Sequence, residues 1–362
     1  MKDFKPTYTD VTDWNFIVYQ NTTGSRSKKI IVGPNSAEEY FLKGSKELSD
    51  GTFKFPTEFW SEIVSSKVGQ FLGFNVLDYN IGYNAEGKQK IGCLSQSMVS
   101  NSTNKLTEGK VYLSGFDASY DPEIDKSRYT FQFIRDTLES FSFEKYIRDL
   151  IEVIIFDSVI GNSDRHQENW GIITNYEETK KEIDREIKNP KNKRFKRWGL
   201  RLDRFYTVLQ EMKSKIDISN IRKSELKLEA TLMRTKFSQI YDSGCCLGRE
   251  LLDEKIDKML VDRQMIEAYL KKGKSEIHWE GRDKKLNHFD LITLLKAEYE
   301  SEILHFIEMV KKNFHEERLK EIIYQIDGNL PENLKMYKLP VNRKELMIKL
   351  ITLRVQKLLE MQ

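Results

Sequence analysis

Over residues 1–95 the apolar positions come in short runs bounded by turn formers. Trp14-Asn15-Phe16-Ile17-Val18-Tyr19, Lys29-Ile30-Ile31-Val32 and Tyr40-Phe41-Leu42-Lys43 are β-branched or aromatic and are flanked by Gly, Pro, Asn or Ser, so each predicts a strand. The period changes between Thr57 and Leu72, where Trp60, Ile63, Val64, Val68, Phe71 and Leu72 recur at helical spacing. Thr57 is the expected N-cap and Gly73 the stop. Val76 to Tyr83 and Lys88 to Leu94 then predict two strands joined by the turn Asn84-Ala85-Glu86-Gly87. Beyond Gln96 the pattern is helical. Ile147, Leu150, Ile151, Ile154 and Ile155 form one stripe ended by Gly161, and Ile303, Phe306, Ile307, Val310 and Leu346, Ile348, Leu350, Leu353 form others. The expectation is an α+β chain of two lobes, a β-rich N-lobe over 1–95 and a mainly helical C-lobe over 96–362.

Composition narrows the classes. The chain has 362 residues, 32% of them charged, yet 59 Lys+Arg against 56 Asp+Glu leave a formal charge of only +3. That balance argues against a globally basic nucleic-acid binder. The most charged stretch, 177–197, carries nine Lys/Arg from Lys180 to Arg197 interleaved with acids, and is expected to be an exposed insertion rather than a nucleic-acid site. No polybasic amphipathic helix is expected. The longest apolar stretch, Ile147 to Ile160, is interrupted by Arg148, Asp149, Glu152 and Asp157, so no membrane span is expected. Cys93, Cys245 and Cys246 offer neither a disulfide framework nor metal-ligand spacing. With no apolar leader at Met1-Lys2-Asp3-Phe4, the expected location is the cytoplasm, with export lacking a cleavable signal as the alternative.

Candidate chemistry concentrates in Gly161-Asn162-Ser163-Asp164-Arg165-His166-Gln167-Glu168-Asn169-Trp170-Gly171, a polar loop between a buried helix and a short strand, Ile172-Ile173-Thr174. Asp164 and Asn169 are five apart, the spacing at which a kinase loop presents a carboxylate to the attacking hydroxyl and an amide to a metal ion. A second carboxylate, Asp242 in Phe237-Ser238-Gln239-Ile240-Tyr241-Asp242-Ser243-Gly244, follows an apolar segment and precedes a Gly, which suits a hard cation such as Mg²⁺. Asp203, between arginines, competes for that role, with a surface ion pair as its other fate. In the N-lobe, Lys43 ends a strand and Glu62 sits 19 residues later on the helix; such a pair holds an ammonium against ATP phosphates. Around Glu62, positions Glu58, Ser65, Ser66 and Gly69 make a small polar face. Thr22-Thr23-Gly24-Ser25-Arg26-Ser27 joins two strands and suits a phosphate-covering loop.

These residues resemble a known family. Asn162 to Asn169 is similar to the Asn-x-Asp-Arg-His-x-x-Asn signature of HipA-like serine/threonine kinases, Ile240-Tyr241-Asp242-Ser243 resembles that family's second motif, and Phe41-Leu42-Lys43 its nucleotide-lysine strand. The strands begin close to the N-terminus, so the chain looks like the compact, CtkA-type members, without the extra N-terminal subdomain of the longer toxins. The resemblance implies ATP and Mg²⁺ as cofactors, Asp164 as the catalytic base, Asn169 and Asp242 as metal ligands, and Lys43 with Glu62 on the phosphates. It also implies Gly24 and Ser25 in the covering loop and Gln96 to Met98 at the adenine. Arg165 and His166 are expected to be structural. The implied partners are a protein substrate with a Ser/Thr acceptor, and an antitoxin or host protein. Autophosphorylation at Thr22, Thr23, Ser25 or Ser27 is a further expectation. A lipid or small-molecule kinase and a non-catalytic nucleotide-binding module are the alternatives, because phosphoinositide kinases carry a similar Asp-Arg-His loop.

Overall fold

A computed structural model describes residues 3–17, 28–34, 38–99, 103–214 and 223–362. The expected covering loop with Gly24 and Ser25 lies outside the described residues, as do Thr22, Thr23, Ser27, Val18 and Tyr19. The N-terminal region holds a six-stranded sheet of β1 (Tyr8–Asp10), β2 (Asn15–Ile17), β3 (Lys28–Val32), β4 (Glu39–Lys43), β5 (Asn80–Tyr83) and β6 (Ile91–Gln96) in the order β1-β5-β6-β4-β3-β2. The β1–β5 pair is parallel and the others are antiparallel. Alternation of side chains along a strand positions the site. In the β4–β6 register Leu42 faces Leu94 and Lys43 faces Cys93. Leu42 and Leu94 pack with Val11 and Ile31 on one face. Lys43 and Cys93 therefore point to the opposite face, which helix α1 (Glu58–Leu72) covers with Trp60, Ile63, Val64 and Val68.

Two sequence expectations change here, the Thr57 cap and the start of the strand after α1. Thr57 precedes α1 but makes no side-chain cap hydrogen bond, while Gly73 ends the helix in the left-handed conformation (φ 97°). The small polar face of Glu58, Ser65, Ser66 and Gly69 is buried. A Cβ at Gly69 would lie 2.6 Å from Val76, and Ser66 Oγ donates to the Leu77 carbonyl at 2.7 Å, so small residues let the returning chain pass close. That passage shortens the strand expected from Val76: it begins at Asn80, and Val76 instead bridges Ile240 in the second half of the chain. Strand β1, too short to show a pattern, was not expected.

The remainder is mostly helical around a second, three-stranded antiparallel sheet of β7 (Asn104–Glu108), β8 (Gly171–Asn175) and β9 (Arg234–Phe237). Helices α2 (Gly109–Phe116), α3 (Phe131–Ser140) and α4 (Ile147–Ile160) precede β8. Helices α5 (Tyr176–Lys188), α6 (Arg194–Lys213) and α7 (Lys223–Leu232) lie between β8 and β9. After β9 come α8 (Asp253–Val261), α9 (Arg263–Lys272), α10 (His288–Lys296), α11 (Glu300–Asn313), α12 (Glu316–Tyr324) and α13 (Val341–Leu359). The axis is α4, whose sequence is apolar nearly all round and whose side chains are buried against α10, α11 and α13. One continuous core runs from α1 through α4 to α13.

Residues 177–197 are not a loose insertion. They fold as α5 and the start of α6, anchored by buried Tyr176, Thr179 and Ile183. The Tyr176 hydroxyl donates to Glu229 Oε1 at 3.0 Å, and Lys105 Nζ donates to Glu229 Oε2 at 3.3 Å inside the same core. Nor is the expectation of no polybasic amphipathic helix correct: α6 is one. Among the described residues no helix is long and apolar enough to cross a membrane.

Candidate active site

The site is assembled by three backbone segments that meet under the sheet. The first is the α1–β4 pair. Lys43 Nζ donates to Glu62 Oε2 at 3.4 Å, with both side chains buried. The second is the loop after β9. Its backbone is laced to the segment after α1: Leu77 N–H donates to the Ile240 carbonyl at 2.9 Å and Ile240 N–H to the Asn75 carbonyl at 2.8 Å. Two residues later Asp242 adopts a left-handed backbone (φ 53°), which Asp tolerates better than most residues. The turn sends its carboxylate to Lys43 Nζ. The next residue returns the contact, as Ser243 N–H donates to Glu62 Oε1 at 2.7 Å. Glu62 thus uses one oxygen for the lysine and the other for the loop that carries Asp242.

The third segment is the polar loop after α4. Gly161 ends the helix left-handed (φ 71°) and the chain turns into Asp164. Its hub is Arg165, 1% exposed. Nε and Nη2 donate to the two oxygens of Asp157 at 2.9 and 2.8 Å, Nη2 to Ser243 Oγ at 2.9 Å, and Nη1 to the Asn169 carbonyl at 2.9 Å and to the Tyr241 carbonyl. One guanidinium therefore ties the Asp164–Asn169 loop to the loop of Asp242. Burial would lower the pKa of Arg165, but the Asp157 carboxylate holds it above its usual range. Burial, then the charges of Glu62 and Asp242, push the Tyr79 phenol well up, so it stays neutral; its oxygen accepts the Asp242 N–H at 3.4 Å.

Within the polar loop, Asn169 Nδ2 donates to the Asp164 carbonyl at 2.8 Å, which orients the amide and leaves Oδ1 without a donor among the described residues. Half-buried Asp164 accepts a contact from the Cys245 thiol on Oδ2 at 3.0 Å, and its N–H donates to Asn162 Oδ1 at 3.3 Å. His166 Nδ1 accepts the Glu168 N–H at 3.3 Å, a backbone-fixing role like that expected of it. Trp170 floors the loop, donating from Nε1 to the Tyr129 hydroxyl at 2.8 Å and stacking on Phe237 with ring centroids 5.9 Å apart.

The structure thus links Lys43, Glu62 and Asp242 directly, and joins Asp164 and Asn169 to them through Arg165. Gln96 is the exposed last residue of β6, opposite Tyr40; the Ser97 N–H donates to the Glu39 carbonyl at 2.8 Å, and Met98 is half-buried against the core. Asp203 lies on α6, outside this cluster, and makes no ion pair among the described residues. Sequence reasoning missed Asp157, Ser243, Tyr79 and Cys245. The one legible signal was Asp157, an acid inside the apolar run Ile154-Ile155-Phe156, which a buried helix tolerates only with a partner. The donors fit a hard divalent cation. Asn169 and Asp242 offer oxygen, and the two cations Lys43 and Arg165 pair with three carboxylates, those of Glu62, Asp242 and Asp157, so the cluster has surplus negative charge.

No protein-family model matches the chain, and no curated protein matches it. Among solved structures, the fold is similar to that of the Helicobacter pylori proinflammatory kinase CtkA, with a TM-score of 0.64 at 16% sequence identity. The likeness covers 98% of this chain and 96% of that one. The protein thus has the kinase-like α+β fold that its motifs led us to expect, a β-rich N-terminal region followed by a mostly helical remainder.

Proposed function

We propose that the protein is an ATP-dependent phosphotransferase acting on protein Ser/Thr hydroxyls, itself included, with its nucleotide between lobes parted near residue 95. The observation that carries this reading is the placement of Lys43 between Glu62 and Asp242, with Arg165 pinning the Asp164 loop to the same turn. In this reading Lys43 holds the ATP phosphates and Glu62 keeps the ammonium in place. Asn169 and Asp242 hold Mg²⁺, which when bound neutralises charge on the transferred phosphoryl group. Asp164 orients the acceptor hydroxyl and takes its proton as the new O–P bond forms and the bond to ADP breaks. Gln96 to Met98 border the adenine, and the segment of Gly24 and Ser25 covers the phosphates.

The test is transfer of the γ-phosphoryl group from ATP to the protein itself and to a generic basic protein, with lipid vesicles as a parallel acceptor. Asp164→Ala is expected to slow transfer by about 10²–10⁴-fold, the usual contribution of a positioned base. Undiminished transfer in that variant removes the assigned mechanism, and transfer to lipid alone replaces the acceptor class. Phosphosite mapping that finds Thr22, Thr23, Ser25 and Ser27 unmodified removes the covering segment as the autophosphorylation site.

A further inference from the structure

Helix α6 turns its apolar side to water. Phe195, Trp198, Leu202, Phe205, Leu209 and Met212 follow one another at alternating steps of three and four residues, which places them on one face. Their exposures are 86, 59, 50, 63, 40 and 57%. The opposite face does the packing, and apart from half-buried Leu200 it is mostly polar. Thr207 is buried there, Lys180 Nζ pairs with Glu211 Oε2 at 2.6 Å, Arg204 Nε with Asp184 Oδ1 at 3.2 Å and Lys196 Nζ with Glu186 Oε2 at 3.5 Å, all across the α5–α6 contact. A surface helix ordinarily buries its apolar stripe and wets its polar face; α6 does the reverse. Single exposed apolar residues need no explanation, but six in one stripe, half of them aromatic, mark an interaction surface.

The charge around the stripe identifies what covers it. Residues 193–213 carry seven cations (Lys193, Arg194, Lys196, Arg197, Arg201, Arg204, Lys213) against two acids, Asp203 and Glu211. Arg194 and Arg201 are exposed beside the stripe and make no ion pair among the described residues. An aromatic-rich apolar face bordered by arginine is the composition of a helix that lies in the headgroup region of a bilayer. Its 20 residues are about 30 Å long and present the whole stripe to a flat surface. A second copy fits less well, because it would bring two strongly positive helices together. A coiled-coil partner would find fewer than three heptads, and a nucleic acid would leave the apolar stripe without a role.

We propose that α6 docks this protein on anionic lipid bilayers, with Phe195, Trp198 and Phe205 at the acyl boundary and Arg194 and Arg201 on lipid phosphates. Because α6 lies between β8 and β9, the strands that flank the candidate site, docking holds that site at the membrane surface. The proposal stands independently of the phosphotransfer reading.

The experiment is sedimentation of the full chain with phosphatidylcholine vesicles, with and without phosphatidylserine, at low and high salt. Binding is expected with phosphatidylserine, weakened by salt and slight with phosphatidylcholine alone. Combined Phe195→Ser, Trp198→Ser and Phe205→Ser substitution is expected to abolish it. Arg194→Gln and Arg201→Gln are each expected to weaken partitioning about fivefold, the factor that corresponds to about 1 kcal/mol per basic side chain. All variants should melt like the parent, since each substituted side chain is exposed. Equal pelleting with both vesicle types, failure to pellet with phosphatidylserine, or retained binding by the triple variant overturns the proposal. So does a lipid-free dimer that the triple substitution dissociates, or a lipid-independent complex with an acidic protein helix.

Discussion

Replacing Asp157 by Ala leaves the Arg165 guanidinium charged, buried and without its counter-ion. The geometry sets the size of the effect. Arg165 is 1% exposed and Asp157 4%, and the carboxylate accepts two of the guanidinium's bonds as well as one from Asn162 Nδ2 at 3.0 Å. Breaking a buried pair by deleting one partner costs about 3–5 kcal/mol, a large share of the roughly 5–15 kcal/mol that holds a domain folded. Asp157→Asn keeps one acceptor oxygen but loses the charge, and should cost about 2 kcal/mol. Replacing both partners, Asp157→Leu with Arg165→Met, removes the stranded charge and should restore stability to within about 1 kcal/mol of the parent. The same double variant should still lose phosphoryl transfer, because nothing then ties the carbonyls of Asn169 and Tyr241 together. Urea denaturation with an unchanged slope gives the stabilities. If Asp157→Ala costs less than about 1 kcal/mol, or if the double variant transfers phosphate at the parental rate, Arg165 is not the hub described here.

Further expectations concern separate parts of the molecule. Burial, reinforced by the Arg354 charge, pushes His288 down to about 3, and neither ring nitrogen has a hydrogen-bond partner among the described residues. The folded pKa is below the unfolded one, so the unfolded chain takes up a proton first; stability is intact above pH 6.5 and lost as pH falls from there towards 3. Between about pH 6.5 and 5 the parent should lose about 2 kcal/mol more than His288→Leu, as measured by denaturation at each pH; parallel losses contradict a neutral buried His288. A Cβ at Gly109 would come within 2.3 Å of the Trp170 indole, which is pinned by Tyr129 and Phe237, so Gly109→Ala should destabilise by about 1–3 kcal/mol. Glu62→Gln keeps an acceptor for the Ser243 N–H but removes the charge facing Lys43. Calorimetry should show ATP binding weakened about tenfold, or roughly 1.4 kcal/mol, and stability should fall by less than in Asp157→Ala, because Lys43 keeps Asp242.

Legibility followed range. Elements fixed by local period were readable: the helix Glu58–Leu72, the strand ending at Lys43 and the helix closed by Gly161 all fall within a few residues of their expected places. The pairing of Lys43 with Glu62 was readable as well, because a strand end and a face of the very next helix are a short-range problem. What escaped was decided by contacts far apart in the chain. Val76 looks like the start of a strand, but Ile240 takes its backbone; Ser65 and Ser66 read as a polar face, but what covers it, the chain at Leu77 and Ser243, is distant in sequence. Asp157 reads as a mere interruption of an apolar run until Arg165 is placed beside it. In α6 the period was present at Phe195, Trp198 and Leu202, but the density of Lys and Arg around it resembled a solvated loop. Only the placement of α5 shows which face is buried.

The most direct test of the account is an experimental structure of the protein with Mg²⁺ and a non-hydrolysable ATP analogue. The account predicts the phosphates on Lys43 Nζ, the ion held by Asn169 and Asp242, and Asp164 facing the γ-phosphate with its side chain open to an acceptor. A nucleotide bound elsewhere, or an ion held by neither Asn169 nor Asp242, would contradict it.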